Sequence, residues 1–208
     1  DNILAAEGLS AFHGILLDLG LSSLQLGSKN RGFSYRSEGP LDMRFDQSNG
    51  SDAGKLIDQT CRDGLAQIFK EYGEERLASR IAKSIKEMTA MNTIADLREA
   101  IRRCTPPNHR DRTFARIFQA LRIAVNGELD ILQQFLTKFI DFLRPSGRIV
   151  IISYHSLEDR LVKRSFKELA SGGTLDILTK RPITATEKER KNNRRARSAK
   201  LRAAVKAT

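Results

Sequence analysis

Two short polar stretches, each following an apolar run, hold much of what could do chemistry in this chain. The first is Asp18-Leu19-Gly20-Leu21-Ser22-Ser23 with Gln25, after Gly14-Ile15-Leu16-Leu17. The second is Tyr154-His155-Ser156-Leu157-Glu158-Asp159-Arg160, after Ile149-Val150-Ile151-Ile152-Ser153. In open α/β sheets ligands bind beyond the carboxyl ends of the strands, which makes both stretches candidate ligand contacts. The imidazole of His155 titrates near neutrality when unperturbed, so it is either a general base or a histidine hydrogen-bonded beneath the strand end. Asp18 reads as a turn acid or a ligand contact. Ser156 reads as a helix N-cap, with Asp159 in a capping-box-like role.

A third stretch, residues 30–46, mixes Arg31, Arg36 and Arg44 with Phe33, Tyr35 and Phe45 around Gly32 and Gly39. Guanidinium groups fork onto phosphates and aromatic faces stack on unpaired bases, so the mixture suits single-stranded RNA. The alternative is an ordered loop whose aromatics seal a core and whose Arg44 pairs with Asp42 or Asp46.

Other chemistries are excluded or disfavoured. His13, His109 and His155 are scattered and no CxxC or HxxxH occurs, which argues against zinc. Ser23, His155 and Asp159 could make a triad only without the Gly-x-Ser-x-Gly elbow. Cys61 and Cys104 read as buried or half-buried free thiols. No run approaches the roughly eighteen apolar residues of a membrane span. The net charge of +11 is concentrated at one end: residues 179–208 carry eleven Lys/Arg against Glu187 and Glu189. That asymmetry fits a polyanion such as nucleic acid, or a solvated basic tail.

The elements that must position these residues follow from periodicity. Residues 14–20 and 148–153 are unbroken apolar runs of the kind buried in parallel sheets, the second after the turn signal Pro145-Ser146-Gly147. Helical spacing spans residues 114–125, 129–143 and 157–169, with a break at Asn126-Gly127. Residues 4–12 are short and mildly amphipathic, and residues 199–205 are the last strand candidate. Between residues 51 and 107 three apolar stripes recur at helical spacing, with no strand candidate. The expectation is an α/β domain (residues 1–50 and 108–208) carrying an inserted helical domain over 51–107.

Taken together, residues 14–23 (GILLDLGLSS), 31–46 (RGFSYRSEGPLDMRFD), 72–81 (YGEERLASRI), 118–126 (FQALRIAVN) with Glu128-Leu129, 147–164 (GRIVIISYHSLEDRLVKR) and 195–202 (RARSAKLR) resemble one family. It is the small-subunit ribosomal RNA (cytosine-N4) methyltransferases, RsmH or MraW. The resemblance implies a class I, Rossmann-like methyltransferase sheet with an inserted helical, RNA-recognising domain. It implies S-adenosylmethionine as methyl donor and a cytosine amine in the decoding region of small-subunit ribosomal RNA as acceptor. Asp18 and Gln25 align with donor contacts. Residues 31–44 and 155–160 fall on family motifs around the acceptor pocket. Within them the expectation is Asp42 or the Asp18 loop as acceptor for the amine hydrogens, His155 as positioner or proton acceptor, Arg31, Arg36, Arg44 and Arg160 on RNA, and Phe33 or Tyr35 stacked on the base. The family's Gly-rich donor loop and ribose-binding acid would precede Asp1, so the first sheet strands are expected to be missing. A non-catalytic RNA-binding or ribosome-assembly module is therefore the alternative. A bacterial cytoplasm is the implied compartment, with the mitochondrial matrix next, no membrane partner, and a homodimer as a further partner to test.

Overall fold

The computed structural model describes residues 6, 8, 10–28 and 30–208, the side chain of Ser23 excepted. The amphipathic stretch expected over 4–12 and the Ser23 hydroxyl therefore lie largely outside the described residues. The chain divides into two compact units, Leu21–Glu128 and Asp1–Gly20 with Leu129–Thr208.

Leu21–Glu128 begins with one turn, α1 (Ser23–Gly27), and its core is built by α2 (Ala53–Gln59), α3 (Arg62–Glu71), α4 (Ala78–Lys86), α5 (Ile94–Cys104) and α6 (Arg110–Asn126). The apolar stripes read from the sequence are buried together: Leu65 and Phe69 of α3, Ile81 and Ile85 of α4, Ile94, Leu97 and Ile101 of α5, and Ile117 and Leu121 of α6. The unit is wider than residues 51–107 because Phe33, Leu41 and Met43 on one side and α6 on the other enter the same core. The short α2 had no stripe of its own to announce it. Asp52 starts it by accepting the Lys55 N–H, and Thr93 with Asp96 forms a capping box on α5. Contrary to expectation Cys61 is exposed; it caps α3 by accepting the Gly64 N–H. Cys104 is half-buried, and burial pushes its thiol pKa up. Gly127, at φ 59°, closes α6 in the left-handed conformation that separates the two helices predicted around it.

One close approach in this unit carries a prediction. A Cβ on Gly73 would lie 2.8 Å from the Phe69 carbonyl oxygen and 2.9 Å from that of Arg116, both backbone atoms. Gly73→Ala should therefore force α3 and α6 apart and cost about 1–3 kcal/mol in urea unfolding. A change below about 0.5 kcal/mol would show that the two backbones yield freely.

The second unit is a sheet with helices. β1 (Phe12–Asp18) and β2 (Leu143–Ser153) run parallel, and β5 (Lys200–Lys206) lies antiparallel to β2. The short β3 (Leu175–Ile177) and β4 (Ile183–Thr184) both pair antiparallel with β5. The helices are α7 (Glu128–Lys138), α8 (Ser156–Ser171) and α9 (Glu187–Asn192). The mixed α/β order is that of a Rossmann-like methyltransferase. Pro145-Ser146-Gly147 does not precede β2 as a turn but lies inside it, at a register irregularity opposite Phe12 and Gly14, with Ser146 at φ 61°.

β1 is not the buried strand its composition predicts. Ile15 and Leu17 face the core formed by Leu136, Phe139, Ile149, Ile151, Val162 and Phe166, whereas Leu16 on the opposite face is 69% exposed. In β2 the same alternation leaves Ile149 and Ile151 buried and Val150 and Ile152 half-buried. A continuous apolar run thus sits on a sheet whose two faces are unequally covered.

Candidate functional site

The carboxyl ends of the parallel pair bring Asp18 and Tyr154 together. Leu19 N–H donates to the Ile152 carbonyl at 3.0 Å, so the chain leaves β1 tethered to β2. The Tyr154 hydroxyl donates to Asp18 Oδ1 at 2.9 Å. Burial and, next, the adjoining Asp18 carboxylate push the Tyr154 pKa up, keeping the phenol protonated as the donor. Asp18 remains exposed at the strand end, and Gly20 turns the chain at φ 89° with room for a Cβ only 3.4 Å from the Tyr154 ring.

Immediately after Tyr154 the geometry differs from the sequence reading. The N-cap of α8 is His155, not Ser156, and its capping-box partner is Glu158, not Asp159. His155 Nδ1 accepts the Glu158 N–H at 3.3 Å, while Glu158 Oε2 accepts the N–H groups of Tyr154 and His155 at 2.8 and 3.2 Å. The second ring nitrogen, Nε2, is buried 3.2 Å from Glu158 Oε1, in contact but without hydrogen-bond alignment. Burial works to raise the Glu158 pKa, and the His155 ring and the two backbone N–H groups outweigh it, so the carboxyl is held below its ordinary value. Asp159 turns away to accept both prongs of Arg202, at 2.7 and 3.2 Å, with Lys200 at 3.5 Å. Here too burial opposes and the two cations prevail, lowering its pKa. Arg160 is exposed on the first turn of α8.

Within Leu21–Glu128 the stretch 31–47 is an ordered loop, held from inside. The Arg31 Nη2 donates to the carbonyls of Arg44 and Phe45, both at 2.8 Å, and its guanidinium lies 5.5 Å from the Phe33 ring centroid. Phe33 is buried in the core and packs on Phe45, so it has no free face for a base. Tyr35 stacks on Phe114, and Arg36 lies exposed over the Tyr35 ring.

Asp42 is the hub of this loop. Its Oδ1 accepts the Arg44 N–H and Nε–H at 3.0 and 2.8 Å, and its Oδ2 accepts from Arg44 Nη2 and Gln47 Nε2 at 3.1 and 2.9 Å. Burial raises its pKa, but these bonds outweigh burial and hold the carboxyl at about 2. With every oxygen engaged, Asp42 shapes the loop and has little capacity left to accept a substrate amine. Gly32 at φ 72° allows the crossing: a Cβ there would meet the Asp42 nitrogen and the Pro40 oxygen at 2.8 Å. Asn126, readable in the sequence only as a helix break, ties the loop to α6 by accepting the Phe45 N–H at 2.7 Å and donating to the Met43 carbonyl at 2.8 Å. Gln25 closes a smaller ring, its Oε1 accepting the Ser22 N–H at 3.0 Å, which leaves its amide nitrogen as the group it offers outward.

The sequence model of the MraW methylase family matches residues 1–207. Ribosomal RNA small subunit methyltransferase H of Synechocystis is 49% identical over 201 residues, covering 95% of this chain and 65% of that protein. The Kosmotoga olearia protein of the same name is 48% identical over 209 residues, covering 98% of this chain and 70% of its own length. The Koribacter versatilis one is 46% identical over 196 residues, covering 92% and 63%. The chain thus spans about two thirds of the length of these curated relatives, such as the 65% of the Synechocystis protein. Strand-end acid, capped histidine turn and arginine-braced loop all lie on the stretch the family model covers, and the chain belongs to the MraW methylase family.

Proposed function

We propose that the protein this chain belongs to transfers a methyl group from S-adenosylmethionine to the exocyclic N4 amine of a cytosine in the decoding region of small-subunit ribosomal RNA. The observation that carries this reading is the polar cluster of Asp18 and Tyr154 at the carboxyl ends of a parallel strand pair, in a chain of this family. The methyl donor fits the residues present. An exposed carboxylate at a strand end, fixed by a tyrosine and followed by a glycine turn, suits a ligand rich in hydroxyl and amino donors. When bound, the donor supplies an electrophilic methyl group on sulfur.

The remaining chemistry falls to the protein. A cytosine amine is a weak nucleophile because its lone pair is delocalised into the ring, so the enzyme must align it and accept its hydrogens. With the donor bound, the residues of the site would have to hold the amine in line with its methyl group and accept the one proton that the amine gives up. Tyr154 holds the Asp18 carboxylate in place, while the turn built on residues 18–20 offers acceptors for the donor or the amine. His155 and Glu158 fix the start of α8 directly after β2 through their reciprocal capping bonds. Of the arginines that the sequence singles out, Arg36 and Arg160 are the exposed ones and are the candidates for RNA phosphate. The base would have to be unstacked to reach such a site.

The test is transfer of labelled methyl to an unmodified small-subunit ribosomal RNA transcript, with the modified base identified by mass spectrometry. Label on another base or on carbon would sink the N4 assignment, and RNA binding without transfer by the full-length protein would favour an assembly module. In that protein Asp18→Asn should raise the KM for the donor on the order of tenfold, the loss of a charged hydrogen bond, and leave kcat less affected. A fall confined to kcat would instead give the carboxylate to the amine.

A further inference from the structure

The basic end of the chain divides into two groups of cations with different work. Arg202 and Lys200 are spent on Asp159, and Lys206 donates to the carbonyls of Ile140 and Leu143 at 2.8 and 2.9 Å. These three hold β5 in its sheet. The other eight basic residues between Thr179 and Thr208 lie within residues 180–197 and are all exposed: Lys180, Arg181, Lys188, Arg190, Lys191 and the trio Arg194, Arg195 and Arg197.

We propose that this segment, residues 180–197, is a preformed surface for the phosphate backbone of RNA, contacting it without regard to base sequence. The inference rests on the RNA substrate proposed above and adds where the RNA backbone is held. Order is the first argument. Ile183 and Thr184 pair with Leu201 and Lys200, Thr186 caps α9, Asn193 caps the turn that follows by accepting the Arg195 N–H, and Ala196 is buried. The charges thus ride on a strap tied to the sheet at several points, and less entropy is lost on binding than with a free tail.

Composition is the second argument. Glu187 and Glu189 are the only acids on the strap, both in the first turn of α9, and Glu187 pairs with Lys191 at 3.2 Å. From Arg190 to Arg197 the side chains include five cations and no acid. Most of the eight are arginines, whose planar forks match phosphate oxygens. There is no aromatic residue in the segment to stack on a base, so the contact positions RNA and reads no sequence. A membrane surface fits less well: the strap exposes one large aliphatic side chain, Ile183, and its helix is six residues long.

The test uses the 208-residue chain and a labelled RNA hairpin of arbitrary sequence, with no methyl donor present, read by fluorescence anisotropy from about 0.05 to 0.3 M KCl. The triple variant Arg194→Ala, Arg195→Ala, Arg197→Ala should bind on the order of tenfold more weakly at the low end. Its log K against log salt should be shallower by about two. Lysine at the same three positions should restore the slope, and a control lowering the net charge equally, Lys70→Ala, Lys138→Ala, Lys167→Ala, should keep it. Thermal melting of each variant separates a charge effect from unfolding. An unchanged slope in the arginine triple, or an equal loss in the control, overturns the proposal. So does binding to phosphatidylglycerol vesicles that the triple abolishes while its RNA slope stays intact. Because no methyl transfer is read, an unchanged slope leaves the proposed reaction standing, and absent transfer in the separate assay leaves this surface standing.

Discussion

Asp42→Ala should destabilise the helical unit by about 2–4 kcal/mol at neutral pH, among the largest effects of any single substitution here. Four hydrogen bonds converge on this carboxylate, and its removal strands the Arg44 guanidinium, whose side chain is only 20% exposed, beside the core that holds Phe33 and Met43. The lower half of that range allows for the solvent that still reaches Arg44. The sign of the pH dependence follows from the direction of the shift. The folded pKa of about 2 lies below the ordinary 3.8, so the carboxylate's contribution is fully present above about pH 4 and is lost as pH falls through 2. Urea unfolding at pH 7 and pH 2.5 should therefore show the gap between wild type and Asp42→Ala narrowing at low pH by about 1–2 kcal/mol. Asp42→Asn should be intermediate and should flatten the same pH window. A wild-type unfolding curve for Asp42→Ala, with methyl transfer abolished, would return the residue to direct contact with the substrate.

That reassignment marks the boundary of what was legible in the sequence. The long periodic features were: β1, β2 and β5 fall within a few residues of their apolar runs, and the helical stripes of α3 to α8 are where the spacing puts them, except that α7 stops at Lys138 and Leu143, expected in that helix, begins β2. β3 and β4, three and two residues long, are too short to show a period and take their conformation from pairing with β5. Exposure of Leu16 was also hidden, because an apolar run carries no record of which face is covered. In the candidate site, residue types singled out these stretches but did not show what each side chain is spent on. Arg31, Arg44 and Phe33 look like RNA-binding residues by type, and their nearest partners are their own loop. Asn126 meets that loop across 81 positions of sequence, a separation no local pattern reveals. The eleven cations of the basic end divide in the same way: only partners such as Asp159 distinguish the three that build the sheet from the eight that face solvent.

His155 offers the sharpest separation between a residue that moves a proton and one that holds a turn. With Nδ1 accepting the Glu158 N–H, the proton of the neutral ring resides on Nε2, which faces Glu158 Oε1 inside the fold. A ring so placed has no lone pair directed outward to take the amine proton, and its work is to start α8 squarely beneath Tyr154. Asparagine is among the best N-cap residues, its side-chain oxygen able to replace Nδ1 as acceptor. In the full-length protein His155→Asn should therefore keep its melting temperature within a few degrees and retain methyl transfer within about threefold of wild type. His155→Ala should cost about 1 kcal/mol in stability and lower kcat on the order of tenfold or more as the turn loosens, with RNA affinity nearly unchanged. A general base gives the opposite pattern: both variants would fall together in kcat by 100-fold or more, about the contribution of one proton-transfer group, and the ascending limb of the pH–rate profile would vanish in each. Stability then decides between the two outcomes, because only the capping role predicts that asparagine and alanine differ in melting and turnover in the same order.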